Sequence, residues 1–230
     1  MAKIIPAILA ENYEEMREQI ANFLDLTKIV QIDICDGKFV NNITWPMNPR
    51  DQSNVNLILS EEEGMPYWEK MEFEFDLMVA NASEKFEFFS RLGARRMVFH
   101  LEAEYDKEKF KEFLEGLDMY TRENTEIGLA LNTTTDIKEL DKFISLVDFV
   151  QVMGIEHIGQ QGEKFDIRCV DQIKGLKEKY PELVISVDGS VNEETAELLI
   201  HAGAKRLVVG SALIHSFDPS ETMHILKNIK

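Results

Sequence analysis

Short apolar runs alternate along this chain with longer amphipathic stretches. Eight runs rich in Ile, Val, Leu and Phe stand out, at 4–9, 29–33, 73–79, 96–100, 127–131, 149–153, 184–188 and 206–209. Apolar side chains at nearly every position fit strands buried on both faces, as in a parallel sheet. Between them the period changes. Tyr13, Met16, Ile20, Phe23 and Leu24 share one helical face, as do Phe86, Phe89 and Leu92, and then Ile137, Leu140 and Ile144, with charged residues opposite. Asn192, three residues before Thr195 and followed by Glu193 and Glu194, predicts a capped helix start, and Gly203 predicts its end.

Strand and helix alternate without a Pro, Gly or Ser linker, which predicts one α/β domain over 1–230, a (β/α)8 TIM barrel. Residues 41–72 depart from this rhythm. Pro46, Pro49, Gly64 and Pro66 punctuate them, and only Val55 and 57–59 carry a helical signal. The expectation is a long loop with a stunted second helix, serving as a lid or an oligomer contact.

Lys and Arg number 25 against 42 Asp and Glu, a formal charge of −17, which argues against a nucleic-acid partner. Cys35 and Cys169 supply neither a disulfide framework nor a metal quartet, as expected of a cytoplasmic protein. No run reaches the ~20 apolar residues of a membrane span, and the first ten residues do not read as a secretory signal.

In a barrel of this kind the chemistry sits at the carboxyl ends of the strands. Polar residues that end apolar runs are Gln31 and Asp33, Asp76, His100 with Glu102 beyond, and Asp188. Side chains alternate along a strand, so Gln31 and Asp33 point together into the barrel mouth while Ile32 faces the helices. Three inward carboxylates, Asp33, Asp76 and Asp188, are costly to bury unless paired, protonated or metal-bound, and function explains their clustering better than stability does. A single one of them is equally well explained as a loop cap or as the partner of a Lys such as Lys38.

A second constellation is glycine-based. Gly159 and Gly162 follow the sixth strand, Gly189-Ser190 the seventh and Gly210-Ser211 the eighth. Each glycine alone is a turn; together, in these late loops, they predict a phosphate cradle built from backbone N–H groups. Cys35, Met78 and Met153 should form an apolar cap that excludes water. His100 reads equally as a core histidine and as a catalytic one, while His157, His201, His215 and His224 lack zinc-ligand spacing.

These residues carry a family likeness. The block Gln31-Ile32-Asp33-Ile34-Cys35-Asp36-Gly37, with Phe39-Val40-Asn41-Asn42-Ile43-Thr44 after it, resembles the strand-two block of the ribulose-phosphate 3-epimerase family. Asp76-Leu77-Met78-Val79, Phe99-His100-Leu101-Glu102-Ala103, Gly128-Leu129-Ala130-Leu131-Asn132, Val187-Asp188-Gly189 and Val209-Gly210-Ser211-Ala212 are similar to further blocks of it, in order. The resemblance implies a barrel in which two Asp exchange a proton with C3 of a ketopentose phosphate from opposite faces. It also implies a divalent ion held by two His and those two Asp.

Asp33 and Asp188 match the proton-transfer positions. Gln31 and Asp76 replace the two His, Ala7 stands at a substrate-contacting Ser, and the loop 156–162 is altered. The resulting set of Gln31, Asp33, Asp76 and Asp188 is all oxygen, which suits Mg, Mn or Ca over Zn if an ion binds. Without one, at least one carboxyl should hold a proton near neutrality, a state useful to an acid–base pair.

The negative far field opposes a phosphorylated substrate. It is screened within ~8 Å, leaving local donors, with Lys38 and Lys164 as candidates, to decide. The rival reading is a sugar-phosphate-binding barrel that has lost its metal centre. A decarboxylase or aldolase ranks last, because the Asp-x-Lys-x-x-Asp block typical of such barrels is absent at Asp33-Ile34-Cys35-Asp36. Exposed Phe and Met on acidic outer helices predict a homo-oligomer.

Overall fold

A parallel sheet rich in Ile, Val and Phe must be covered by helices outside and filled by side chains inside, and closure on itself removes both of its edges. The computed structural model, which describes residues 2–160 and 162–229, takes this form. Gln161 lies outside the described residues. The strands are β1 (Lys3–Ile8), β2 (Ile29–Cys35), β3 (Glu72–Met78), β4 (Ala94–His100), β5 (Glu126–Leu131), β6 (Phe149–Met153), β7 (Val184–Asp188) and β8 (Arg206–Val209). They pair in parallel in chain order, and β8 returns to β1, completing an eight-stranded barrel. The apolar runs locate all eight strands, with ends displaced by no more than two residues.

The outer layer holds α1 (Tyr13–Ala21), α2 (Ser53–Leu59), α3 (Phe86–Arg91), α4 (Lys107–Gly116), α5 (Met119–Asn124), α6 (Arg168–Lys179), α7 (Glu193–Ala202), α8 (Ser211–Ile214) and α9 (Pro219–Asn228). Asn192 accepts from Thr195 N–H while the Thr195 hydroxyl caps Asn192 N–H, so the α7 start is the capping box its sequence predicts. No described helix is long and apolar enough to cross a membrane.

The helical face read from Ile137, Leu140 and Ile144 is a correction. It forms two 3-10 segments, Ile137–Lys142 and Ile144–Leu146. Phe143 lies between them, and its buried ring packs 5.6 Å from that of Phe110. Tertiary packing therefore outweighs the local period. Within 41–72, α2 is short as expected, and Trp45 is buried against Tyr13.

Outside the strands a continuous apolar core includes Ile32, Phe75, Phe99 and Leu129. Inside, apolar side chains form two separate clusters, Ile5, Ala7, Ile29 and Val208 in one, and Val98, Ala130, Phe149 and Met153 in the other. Polar residues occupy the rest of the axis. At the floor Arg96 lies 3.1 Å from Glu74 and 3.2 Å from Glu126, and Arg206 reaches Glu126 at 2.9 Å. The Arg206 guanidinium also covers the Phe149 ring at 4.4 Å, and that ring occupies space which a side chain at Gly128 would need. The floor is thus a solid ion-paired plug, so access is from the opposite end.

Candidate active site

Alternation along β2 turns Gln31, Asp33 and Cys35 inward, and register places Asp33 level with Asp76 on β3 and Cys35 level with Met78. Register also sets Met153 of β6 level with Asp188 of β7. Barrel closure then brings β2 and β7 across from each other. Gln31 Nε2 donates to Asp33 Oδ1 and to Asp188 Oδ2, both at 2.8 Å. One oxygen each from Asp33, Asp76 and Asp188 lie within 4.8 Å of one another. His100 Nε2 sits 3.0 Å from Asp76 Oδ1, which Gln151 Nε2 also approaches at 3.3 Å.

Burial, followed by the Asp188 and Asp76 charges, pushes the Asp33 carboxyl well above the usual carboxylate range. Burial and the Asp76 charge push Asp188 up to about 7, while the Gln31 hydrogen bond opposes the rise. For His100 burial acts downward, but the Asp76 charge and hydrogen bond outweigh it and raise the imidazole. Two carboxyls of the mouth thus have raised proton affinity, and the third, Asp76, is paired with a histidine.

A narrow cavity opens above these groups. Ala7, Asp33, Asp76, Met78, Met153, Gly159, Gly162, Asp188, Ser190, Gly210 and Ser211 line it, so elements separated by most of the chain meet there. Gly189 (φ +104) and Ser190 (φ +54) both adopt left-handed backbone in the loop after β7. Gly154, at the end of β6, lets the strands approach closely, because a Cβ there would stand 2.2 Å from Gly189 O. The loop after β2 roofs the mouth. Phe39 packs 5.6 Å from the His100 ring, and Asn42 Nδ2 donates to Gly159 O at 3.2 Å. Asp36 holds that loop by accepting from the N–H groups of Lys38, Phe39 and Ala80.

Several predicted residues stand elsewhere. Cys35 is buried beside Thr44, its thiol pushed up by burial and by Asp33, and is not among the residues that line the cavity with Met78 and Met153. Glu102 accepts from Asn132 N–H and from the Thr135 hydroxyl, tying two loops together outside the mouth. Lys38 and Lys164 are exposed, and the described lining contains no Lys or Arg. Gln151, Gln160 and Glu163 belong to the site or its rim and were not singled out by the sequence reading. For Gln151 a signal existed, a lone amide at the inward position of the apolar run 149–153.

The sequence profile of the ribulose-phosphate 3-epimerase family matches residues 3–214. The chain belongs to that family. It is 28% identical over 228 residues to ribulose-phosphate 3-epimerase of Schizosaccharomyces pombe, covering 99% of this chain and 93% of the relative. It is 27% identical to the cytoplasmic isoform of Oryza sativa, covering 98% and 93%. Among solved structures, 3-hexulose-6-phosphate synthase of Salmonella typhimurium superposes with a TM-score of 0.67 at 15% identity, covering 99% and 97%, a likeness of fold. Gln31 and Asp76 stand where the resemblance leads one to expect His.

The donor set fits a hard cation. Asp76 Oδ2 and Gln31 Oε1 are buried with no hydrogen-bond partner among the described residues. The three carboxylates stand close enough to share one ion.

Proposed function

We propose that this chain is a ketose-phosphate 3-epimerase in which Asp33 and Asp188 move the C3 proton. The observation that carries the reading is the shared Gln31 amide, which holds a carboxylate of β2 and one of β7 at 2.8 Å each beneath a single cavity. A sugar carbon above that amide would present one face to each carboxyl. The ionised member removes the proton, the protonated member delivers one to the opposite face, and the roles exchange in reverse. Raised proton affinity in both groups keeps one of them protonated near neutrality, as such a pair requires.

The expected phosphate cradle comprises Gly159, Gly162, Gly189, Ser190, Gly210 and Ser211. Its donors are backbone N–H groups and hydroxyls, which act within the screening length despite the net charge of −17. Met78 and Met153 line the cavity, and their apolar side chains would exclude water from a reacting carbon there.

A divalent ion held by Asp33, Asp76 and Asp188, with Gln31 Oε1 turned toward it, would supply positive charge to the enediolate oxygens. The all-oxygen set favours Mg, Mn or Ca over Zn. The substrate class is a ketopentose phosphate, after the names of the relatives. The name of the rice relative and the two free thiols support a cytoplasmic setting. Exposed Trp68, Met119, Tyr120 and Phe217 support a homo-oligomer, which light scattering would size.

The test is incubation with ketopentose and ketohexose phosphates in heavy water, with and without chelator, following C3 by NMR. Wild type should label C3, and Asp33→Asn or Asp188→Asn should reduce labelling by about 100-fold or more. Tight binding of a ketose phosphate with no labelling in any condition would replace this reading with that of a sugar-phosphate-binding barrel.

A further inference from the structure

Asp76 lies near the end of β3, level with Asp33 of β2, at a position where the family resemblance leads one to expect a histidine. The exchange has a geometric consequence. A histidine offers an ion one nitrogen in the plane of its ring, whereas a carboxylate offers two oxygens and turns broadly about its last bond. Unless something holds it, Asp76 is a ligand with no set direction.

His100 supplies that hold. Its Nε2 lies 3.0 Å from Asp76 Oδ1, and the Gln151 side chain approaches the same oxygen at 3.3 Å. Oδ2 is buried and meets no donor among the described residues. The two oxygens of Asp76 are therefore unequal, one tied to the barrel wall and the other left over. The His100 ring has no second polar contact among the described residues, since its Nδ1 is buried without a partner. Phe39 packs 5.6 Å from the ring, and the side chain is shut off from solvent. Burying an unmatched ring nitrogen is unfavourable. A side chain kept for packing alone would carry no such cost, which leaves the contact to Asp76 as what the ring provides.

We propose that His100 is a positioning residue for a divalent cation, holding Asp76 by Oδ1 so that Oδ2 is presented to the ion. This rests on the reading of Asp33, Asp76 and Asp188, whose oxygens lie within 4.8 Å of one another, as the ligands of that ion. A carboxylate already held in one orientation does not have to be ordered when the ion enters. Partners that orient metal ligands in this way typically contribute about 10- to 100-fold to metal affinity.

Three substitutions of His100 separate orientation from bulk. His100→Gln carries an amide N–H to the place of Nε2, His100→Asn stops short at the level of Nδ1, and His100→Leu fills space without a donor. Mn2+ is titrated into each substrate-free protein and followed by the loss of its free electron-paramagnetic-resonance signal, with circular dichroism as the check of folding. His100→Leu and His100→Asn should bind Mn2+ about tenfold or more weakly than wild type, and His100→Gln should stay near the wild-type value. The loss must act through Asp76, so adding His100→Leu to Asp76→Ala should change affinity by less than about twofold. Equal Mn2+ affinity in wild type, His100→Leu and His100→Asn would overturn the proposal, as would a loss equally large with and without Asp76. Should His100→Leu not fold, His100→Asn against His100→Gln decides, and equal affinities of those two overturn it. Wild type that binds no Mn2+, or binds it equally well after Asp76→Ala, would remove the cation reading beneath the proposal. Unchanged affinity confined to the His100 variants defeats the positioning role alone.

Discussion

His100 and Asp76 form a fully buried pair, with Nε2 and Oδ1 3.0 Å apart and neither side chain reaching solvent. They come from adjacent strands, β4 and β3, and Phe39 closes over the ring. The imidazole pairs with one of the three carboxyls in the mouth, leaving Asp33 and Asp188 to the Gln31 amide.

Removing one partner of such a pair leaves an uncompensated buried charge. His100→Ala should lower the unfolding free energy by about 3 kcal/mol, the lower end of the range for broken buried pairs. Adding Asp76→Asn in the same chain should recover most of that loss, since the stranded charge is then gone. Urea denaturation of the single and double variants checks both values.

Stability should fall as pH rises from about 4 to beyond 7. Asp33 and Asp188 have raised proton affinity in the folded chain, so between their ordinary value of 3.8 and their folded values the native state holds more protons than the unfolded state. Their contribution is full below 3.8 and lost as pH climbs through the folded values, about 7 for Asp188. His100 acts with the same sign, contributing fully below 6.5 and losing that contribution above its raised folded value. Each unit difference in bound protons contributes about 1.4 kcal/mol per pH unit. Asp188→Asn should flatten the slope between pH 5 and 8 and be more stable than wild type at pH 8. An equal or steeper slope in the variant, read from urea midpoints, would count against this account.

Gly154→Ala should damage the site without touching a reacting group. The added methyl would stand 2.2 Å from Gly189 O, a backbone atom that cannot swing away, so the loop carrying Gly189 and Ser190 must move. Displacement of the loop proposed to hold the phosphate should raise KM more than it lowers kcat. The expected change is about tenfold in KM for a ketose phosphate, with a smaller change in kcat, measured by steady-state kinetics. The methyl also strains the β6–β7 junction, so the midpoint of thermal unfolding should fall.

The sequence alone determined the strand order, the inward facing of Gln31 with Asp33, the α7 cap and the glycine positions of the late loops. These follow from local rules. Period-two alternation, helix-end chemistry and strand–helix rhythm act over a few residues and are written in neighbouring letters. The 3-10 form of residues 137–146 escaped the same rules, because the partner of the buried Phe143 ring, Phe110, lies outside the segment.

Only tertiary structure decided who meets whom inside the barrel. Gln31 reaches Asp188 across 157 positions of chain, His100 takes Asp76 as partner, Glu102 turns to Asn132 and away from the mouth, and Lys38 stays in solvent. Strand closure sets these distances, and in a buried space each polar group takes whichever partner lies within about 3 Å. That choice depends on packing around the whole circumference, which no local stretch of letters contains.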